Sequence, residues 1–236
     1  MQCALCQNTK KLCKSHIIPE FFYKELYDKK HRFKGVYSIW GKIVFHFKGF
    51  RERLLCEDCE KKLSSYEKYL RDVLLEQYPK IMELKVGDKL YFNVNYKKIR
   101  LCYLSILWRM SIATKRFFKN FSIPEYEGKL KDLLNRDDPG NPNEFGYIAI
   151  VPLMNNSFKR AWFIDPHLGK MNGDDICFVM FGGILYIFFI TFTNNPRAAE
   201  AFIQRENKWL ITAVDVKDTL LDKYIRNAQK IIKKSQ

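Results

Sequence analysis

From Glu57 the stretch EDCEKKLSSYEKYLRDVLLEQY sets Leu63, Tyr66, Leu70, Leu74 and Tyr78 three or four positions apart, the spacing that lines one face of a helix. Acidic residues in its first turn suit the positive end of the helix dipole, and Pro79 is expected to close it. Upstream, VYSIWGKIVFHFKGF alternates around Gly41–Lys42 and predicts a β-hairpin. Residues 1–78 therefore read as one small unit.

Residues 79–236 read as a companion domain. DKLYFNVNYKKI predicts a strand, and RLCYLSILWRMSIATKRFFKN a long, mostly buried helix with Leu104, Leu107, Trp108, Ser111 and Ile112 on one face. Arg109 within it is expected to pair a carboxylate at the helix surface. EYEGKLKDLLNR predicts an amphipathic helix, DDPGNPNEFG a turn cluster, and YIAIVPLM, KRAWFIDP and KWLITAVDV three strands. The uncharged run ICFVMFGGILYIFFITF falls just short of a bilayer span. Gly182–Gly183 divides it into two aromatic and β-branched blocks, which predicts two buried strands joined by a tight turn. VKDTLLDKYIRNAQKIIKK predicts a basic amphipathic helix at the end. The class expected is α+β, with helices and an antiparallel sheet in the larger part.

Composition narrows the partner. An apolar fraction of 47% supplies a packed core. Lys and Arg outnumber Asp and Glu by 41 to 26, a formal charge of +15, which favours a polyanion, most commonly nucleic acid. Basic Lys42, Lys48, Arg51 and Arg53 fall in and around the predicted hairpin among Tyr37, Trp40, Phe47 and Phe50, a mixture suited to phosphate contacts with aromatic support. Neither a P-loop nor a G-x-S-x-G motif occurs. Cys3 and Cys6 stand where a secretory leader needs an apolar run, so a cytoplasmic location without membrane insertion is expected.

Four of the seven cysteines form two C-x-x-C pairs, Cys3/Cys6 and Cys56/Cys59. One such turn brings two thiolates to one ion, and two turns complete a tetrahedral Zn²⁺ shell. With every position taken by protein, that ion is structural. Cys13 and His16 lie close enough in sequence to compete as ligands, and Cys102 and Cys177 sit in apolar runs that predict core positions.

The order of parts, C-x-x-C then SHIIP then LLC-x-x-C heading a helix, resembles a treble-clef (ββα-like) zinc finger. Within that group it is similar to the zinc-containing HNH endonucleases and to bacterial proteins labelled HNH-like. The resemblance covers about the first third of the chain. It implies His16 as the general base for phosphodiester hydrolysis and Glu60, where the family has a later His, as a ligand of catalytic Mg²⁺ or Mn²⁺. Ser15 stands where the family has a metal-binding Asp, and Arg51 lies near the position of an orienting Asn. Two functions follow as expectations. One is a metal-dependent nuclease acting on DNA in preference to RNA, with residues 79–236 recognising substrate or a protein partner. The other is a non-catalytic zinc-finger adaptor that docks on nucleic acid or protein.

Overall fold

The computed structural model describes residues 1–37, 42–154, 158, 163–192, 196–203, 206–219, 222–223 and 226, with the backbone alone at 25, 34–37, 42–47 and 197. The fold is mixed α+β. A short ribbon of β1 (Leu12–His16) and β4 (Arg51–Cys56) pairs antiparallel, and β2 (Arg32–Tyr37) and β3 (Lys42–Phe47) form a second antiparallel pair between them in sequence. The hairpin expected there is present as two strands, while its tip, with Trp40 and Gly41, lies outside the described residues. The C-terminal helix expected from residue 216 lies largely outside them too, as does the first half of KRAWFIDP.

Helix α1 (Glu57–Glu83) buries Cys59, Leu63, Tyr66, Leu70, Leu74, Tyr78 and Ile81, the predicted stripe continued by one turn. It does not stop at Pro79, which sits inside it. Proline removes the hydrogen bond to the carbonyl four residues back. That carbonyl belongs to Leu75, whose side chain is 50% exposed, so water can take its place. Beyond the proline, Ile81 is buried, and the Tyr78 hydroxyl donates to the Gly182 carbonyl at 3.0 Å. Packing outweighs the missing bond. The boundary expected at 78/79 thus falls within a continuous helix, and side chains from both sides of it share one core.

After β5 (Lys89–Asn93) comes α2 (Tyr96–Ile112), which starts earlier and ends earlier than its apolar run suggested. Asn95 caps it by accepting from the Lys98 N–H, and this cap fixes the start. α2 is buried on nearly every side rather than on one face. It packs against α1 and α3 (Pro124–Arg136), and its Tyr103 ring rests on Tyr147, Tyr186 and Trp209 of the sheet.

The large sheet has the order β5-β10-β6-β9-β8-β7, with β6 at Tyr147–Leu153, β7 at Ile164–Met171, β8 at Asp174–Phe181, β9 at Ile184–Phe189 and β10 at Lys208–Asp215. The two apolar blocks form the β8–β9 hairpin around Gly182 and Gly183, both at positive φ. A side chain at Gly182 would meet the Phe22 ring at 2.5 Å, so glycine is required there. No helix among the described residues is long and apolar enough to cross a membrane. The sheet is mixed, not antiparallel throughout: β10 runs parallel to β6. After β9 the chain forms α4 (Pro196–Ala201) and re-enters beside β6 in the same direction, a crossover that a tight hairpin turn cannot make.

Two buried arginines brace α2. Arg100 is fully buried and donates to the carbonyls of Pro139, Asn141, Glu144 and Phe145, gathering the turn cluster around one guanidinium. Arg109, 1% exposed, binds the Glu67 carboxylate at 2.6 Å, the His16 carbonyl at 2.5 Å and Ser105. Its carboxylate partner was expected, but at the helix surface. The pair is instead enclosed between α1, α2 and β1.

Candidate metal centre and basic ribbon

Residues 1–10 form a tight turn that carries Cys3 and Cys6. The Gln7 N–H donates to the Cys3 carbonyl, the Cys3 N–H to Asn8, and Ala4 N–H ties the turn to the Leu54 carbonyl of β4. Cys56 ends β4 and caps α1, and Cys59 lies in the first helical turn. The four Sγ atoms lie within 4.8 Å of one another, with Cys6 and Cys56 3.8 Å apart. A tetrahedron with Zn–S bonds of about 2.3 Å has edges of about 3.8 Å, so the cluster fits an ion such as zinc. Cys13 sits at the register shift of β1 and is not in the cluster; nor is His16. Cys102 and Cys177 are core residues, as their apolar surroundings predict.

Within the cluster, the surroundings of Cys3 favour thiolate. Burial pushes the Cys3 thiol up, but N–H groups of Cys56, Cys6 and Leu5 outweigh it and bring it down to about 7. The Cys59 thiol is pushed up by burial and by the crowding of its three sulfur neighbours. A cation at the centre would replace the protons these sulfurs hold between them.

The residues implied as catalytic are placed apart. Ser15, fully buried, donates to the Glu60 carboxylate at 2.6 Å on the α1 side of β1. The next residue, His16, faces the other way, as strand alternation requires, and its Nε2 lies 3.2 Å from the Lys48 carbonyl. A carbonyl only accepts, so Nε2 carries the hydrogen and Nδ1 presents its lone pair. Lys48 and Gly49 both adopt positive φ to deliver that carbonyl. The orienting group is therefore backbone, which no side-chain motif displays. Among the described residues no second cluster of three metal-ligating side chains forms.

Burial lowers the His16 pKa, with nearby Arg51 and Arg109 adding to the effect and Glu20 and the Lys48 carbonyl opposing it. An NMR titration should place this imidazole below the ordinary value of about 6.5. A depressed folded value means that its contribution to stability is present above the ordinary imidazole range and is lost as pH falls through the folded value. A His16 midpoint at or above the ordinary value would contradict the burial.

The ribbon itself has two unlike faces. Toward the core it turns Ser15 and Glu52. Away from the core it turns Lys14 beside its cross-strand partner Arg53, and His16 beside Arg51, with Lys48 at the end. Like charges directly opposite each other are destabilising. Arg53 donates to the Leu12 carbonyl, but among the described residues no carboxylate forms an ion pair with Lys14, Lys48, Arg51 or Arg53. Sequence reading missed Lys14; its register opposite Arg53 is the signal. The Lys42 side chain lies outside the described residues. Phe50 is buried against Phe117 and Phe118, so it offers no face to a base.

Comparison with protein-family models, with curated proteins and with solved structures finds no match.

Proposed function

We propose that this chain is a zinc-stabilised, HNH-like nucleic-acid-binding protein of treble-clef type. Cys3, Cys6, Cys56 and Cys59 would hold a structural zinc, and the outer face of the β1–β4 ribbon would take the phosphate backbone, of DNA in the first instance. The observation that carries the binding reading is the uncompensated pairing of Lys14 with Arg53, with Arg51 two residues along the same face of β4. A ribbon that keeps a repulsive cross-strand pair at its surface gains from it when an anion is bound.

Binding should weaken steeply as salt rises, because phosphate-bound counterions are released. Replacing Lys14 and Arg53 together by Gln should lower the slope of log affinity against log salt by about two, near one per lost phosphate contact. Fluorescence anisotropy on a labelled DNA duplex measures both. A wild-type protein that binds no DNA at low salt would remove this reading.

A cutting activity is the second reading, and the Nδ1 lone pair of a neutral His16 favours it. Glu60 supports it less, since its carboxylate already accepts from Ser15 on the far side of β1. In this reading the protein nicks plasmid DNA with Mg²⁺ or Mn²⁺, and His16→Ala abolishes nicking while binding persists. Binding without nicking by the wild type selects the adaptor instead.

A further inference from the structure

We infer that the cavity between the cysteine-bearing first turn and α3 is a binding site for a free α-amino acid with an apolar side chain. This goes beyond the nucleic-acid reading and does not depend on it.

Four segments line the cavity, whose volume is about 410 Å³, within the range usual for small-molecule sites. Its apolar lining comes from Ala4 of the first turn, Leu54 of β4, Trp108 and Ile112 of α2, and Pro124 of α3.

The charged groups stand on one stripe of α3. Pro124, Glu127, Gly128 and Lys131 follow the spacing of a single helix face, and all four line the cavity. Glu127 and Lys131 are four residues apart with the acid first, the order that ordinarily pairs across a helical turn. Here they do not pair. One Glu127 oxygen accepts from the Ser111 hydroxyl instead. Among the described residues Lys131 forms neither an ion pair nor a hydrogen bond. The cavity is thus offered a carboxylate with one oxygen open and an uncommitted ammonium, one turn apart. From the first turn, Gln7 gives an Nε2 hydrogen to the Ala4 carbonyl at 2.7 Å and keeps its carboxamide oxygen as an acceptor.

Gly128 has no packing reason to be glycine. It lies inside a helix, and a Cβ built on it meets no atom within 4 Å. Glycine there is less stable than alanine, so the bare position costs stability and leaves room at the cavity wall.

An α-amino acid matches this arrangement, with its ammonium on Glu127 and Gln7, its carboxylate on Lys131 and its side chain against the apolar lining. A ligand with only one charge would leave Glu127 or Lys131 unpaired as water is displaced.

The probe is L-leucine, titrated into the full chain by calorimetry, with N-acetyl-L-leucine, L-leucinamide and L-alanine alongside. Saturable leucine binding is expected, with each blocked form weaker by about tenfold or more. Alanine should fall further, since each buried methylene carries about fourfold in affinity. Lys131→Gln should weaken leucine about tenfold and bind leucine and leucinamide alike, because the carboxylate has lost its partner. Gly128→Leu fills the cavity and favours the helix, so it should abolish binding without lowering the melting temperature. Full leucine affinity in either variant overturns the site. N-acetyl-L-leucine bound as tightly as leucine rejects a free amino acid as the ligand. Absence of saturable leucine binding by the wild type rejects the inference and leaves the nucleic-acid reading untouched.

Discussion

Replacing Cys59 by Ser should strip the protein of its metal and unfold its N-terminal part. Wild-type protein purified without chelator is expected to carry about one zinc per chain. Structural zinc in small domains contributes about 10–16 kcal/mol of apparent binding free energy, as much as the whole net stability of a typical domain, about 5–15 kcal/mol. The first ten residues have little else to hold them. Apart from the sulfurs, their attachments are the Ala4 N–H to the Leu54 carbonyl, the Asn135 side chain to the Leu5 carbonyl, an exposed Lys10–Asp58 ion pair and the buried Cys3 and Leu5 side chains. Metal analysis and circular dichroism melting would check this, with chelator treatment of the wild type as a parallel route to the same state. Cys13→Ser supplies the control. Cys13 lies outside the cluster, so that variant should keep its metal and melt within about 1 kcal/mol of wild type. Stoichiometric zinc in Cys59→Ser would refute the four-sulfur site.

Arg109→Met should cost about 3–5 kcal/mol, the usual penalty for leaving one member of a buried ion pair alone. Glu67 would be the orphan, and the carbonyl of His16 would lose its donor at the same time. Burial raises the Glu67 pKa, while the charge and hydrogen bond of Arg109 pull it back and nearby Glu60 pushes it up. A raised folded value means that the carboxyl's contribution is full below the ordinary carboxylate range and is lost as pH rises through the folded value. Removing Arg109 raises that value further. The deficit of Arg109→Met should therefore be smallest in acid and widen toward neutral pH, and adding Glu67→Gln should recover much of it. Urea unfolding of the single and double variants at acid and neutral pH measures both effects. A deficit independent of pH, with no recovery in the double variant, would mean that packing of the arginine stem and not charge is what matters.

Features written as local pattern were legible in the sequence. The Gly-Gly break in an uncharged apolar run marked the β8–β9 hairpin, and the spacing of Leu63, Tyr66, Leu70 and Leu74 marked α1. The paired C-x-x-C turns marked the cluster, because a metal-binding turn needs its two sulfurs at fixed separation. What was not legible depends on partners distant in the chain. β1 and β4 are short, and a register shift interrupts their alternation, so neither ribbon strand nor the Lys14–Arg53 pairing could be seen. The parallel entry of β10 beside β6 is a matter of topology that no strand sequence records. Arg109 looked like a surface residue since nothing near it in sequence announces Glu67, 42 positions away. Pro79 misled for a related reason: the proline rule speaks of one lost hydrogen bond, while Tyr78 and Ile81 are held by groups from across the fold.

Helix α1 carries a cysteine of the cluster in its opening turn and a tyrosine bonded to the β8–β9 turn near its close. Its 27 residues make a rod of about 40 Å, interrupted in its hydrogen bonding only near its close, at Pro79. A load placed on the cysteine cluster would be carried along this beam to the β8–β9 turn as torque, so that the two would move together.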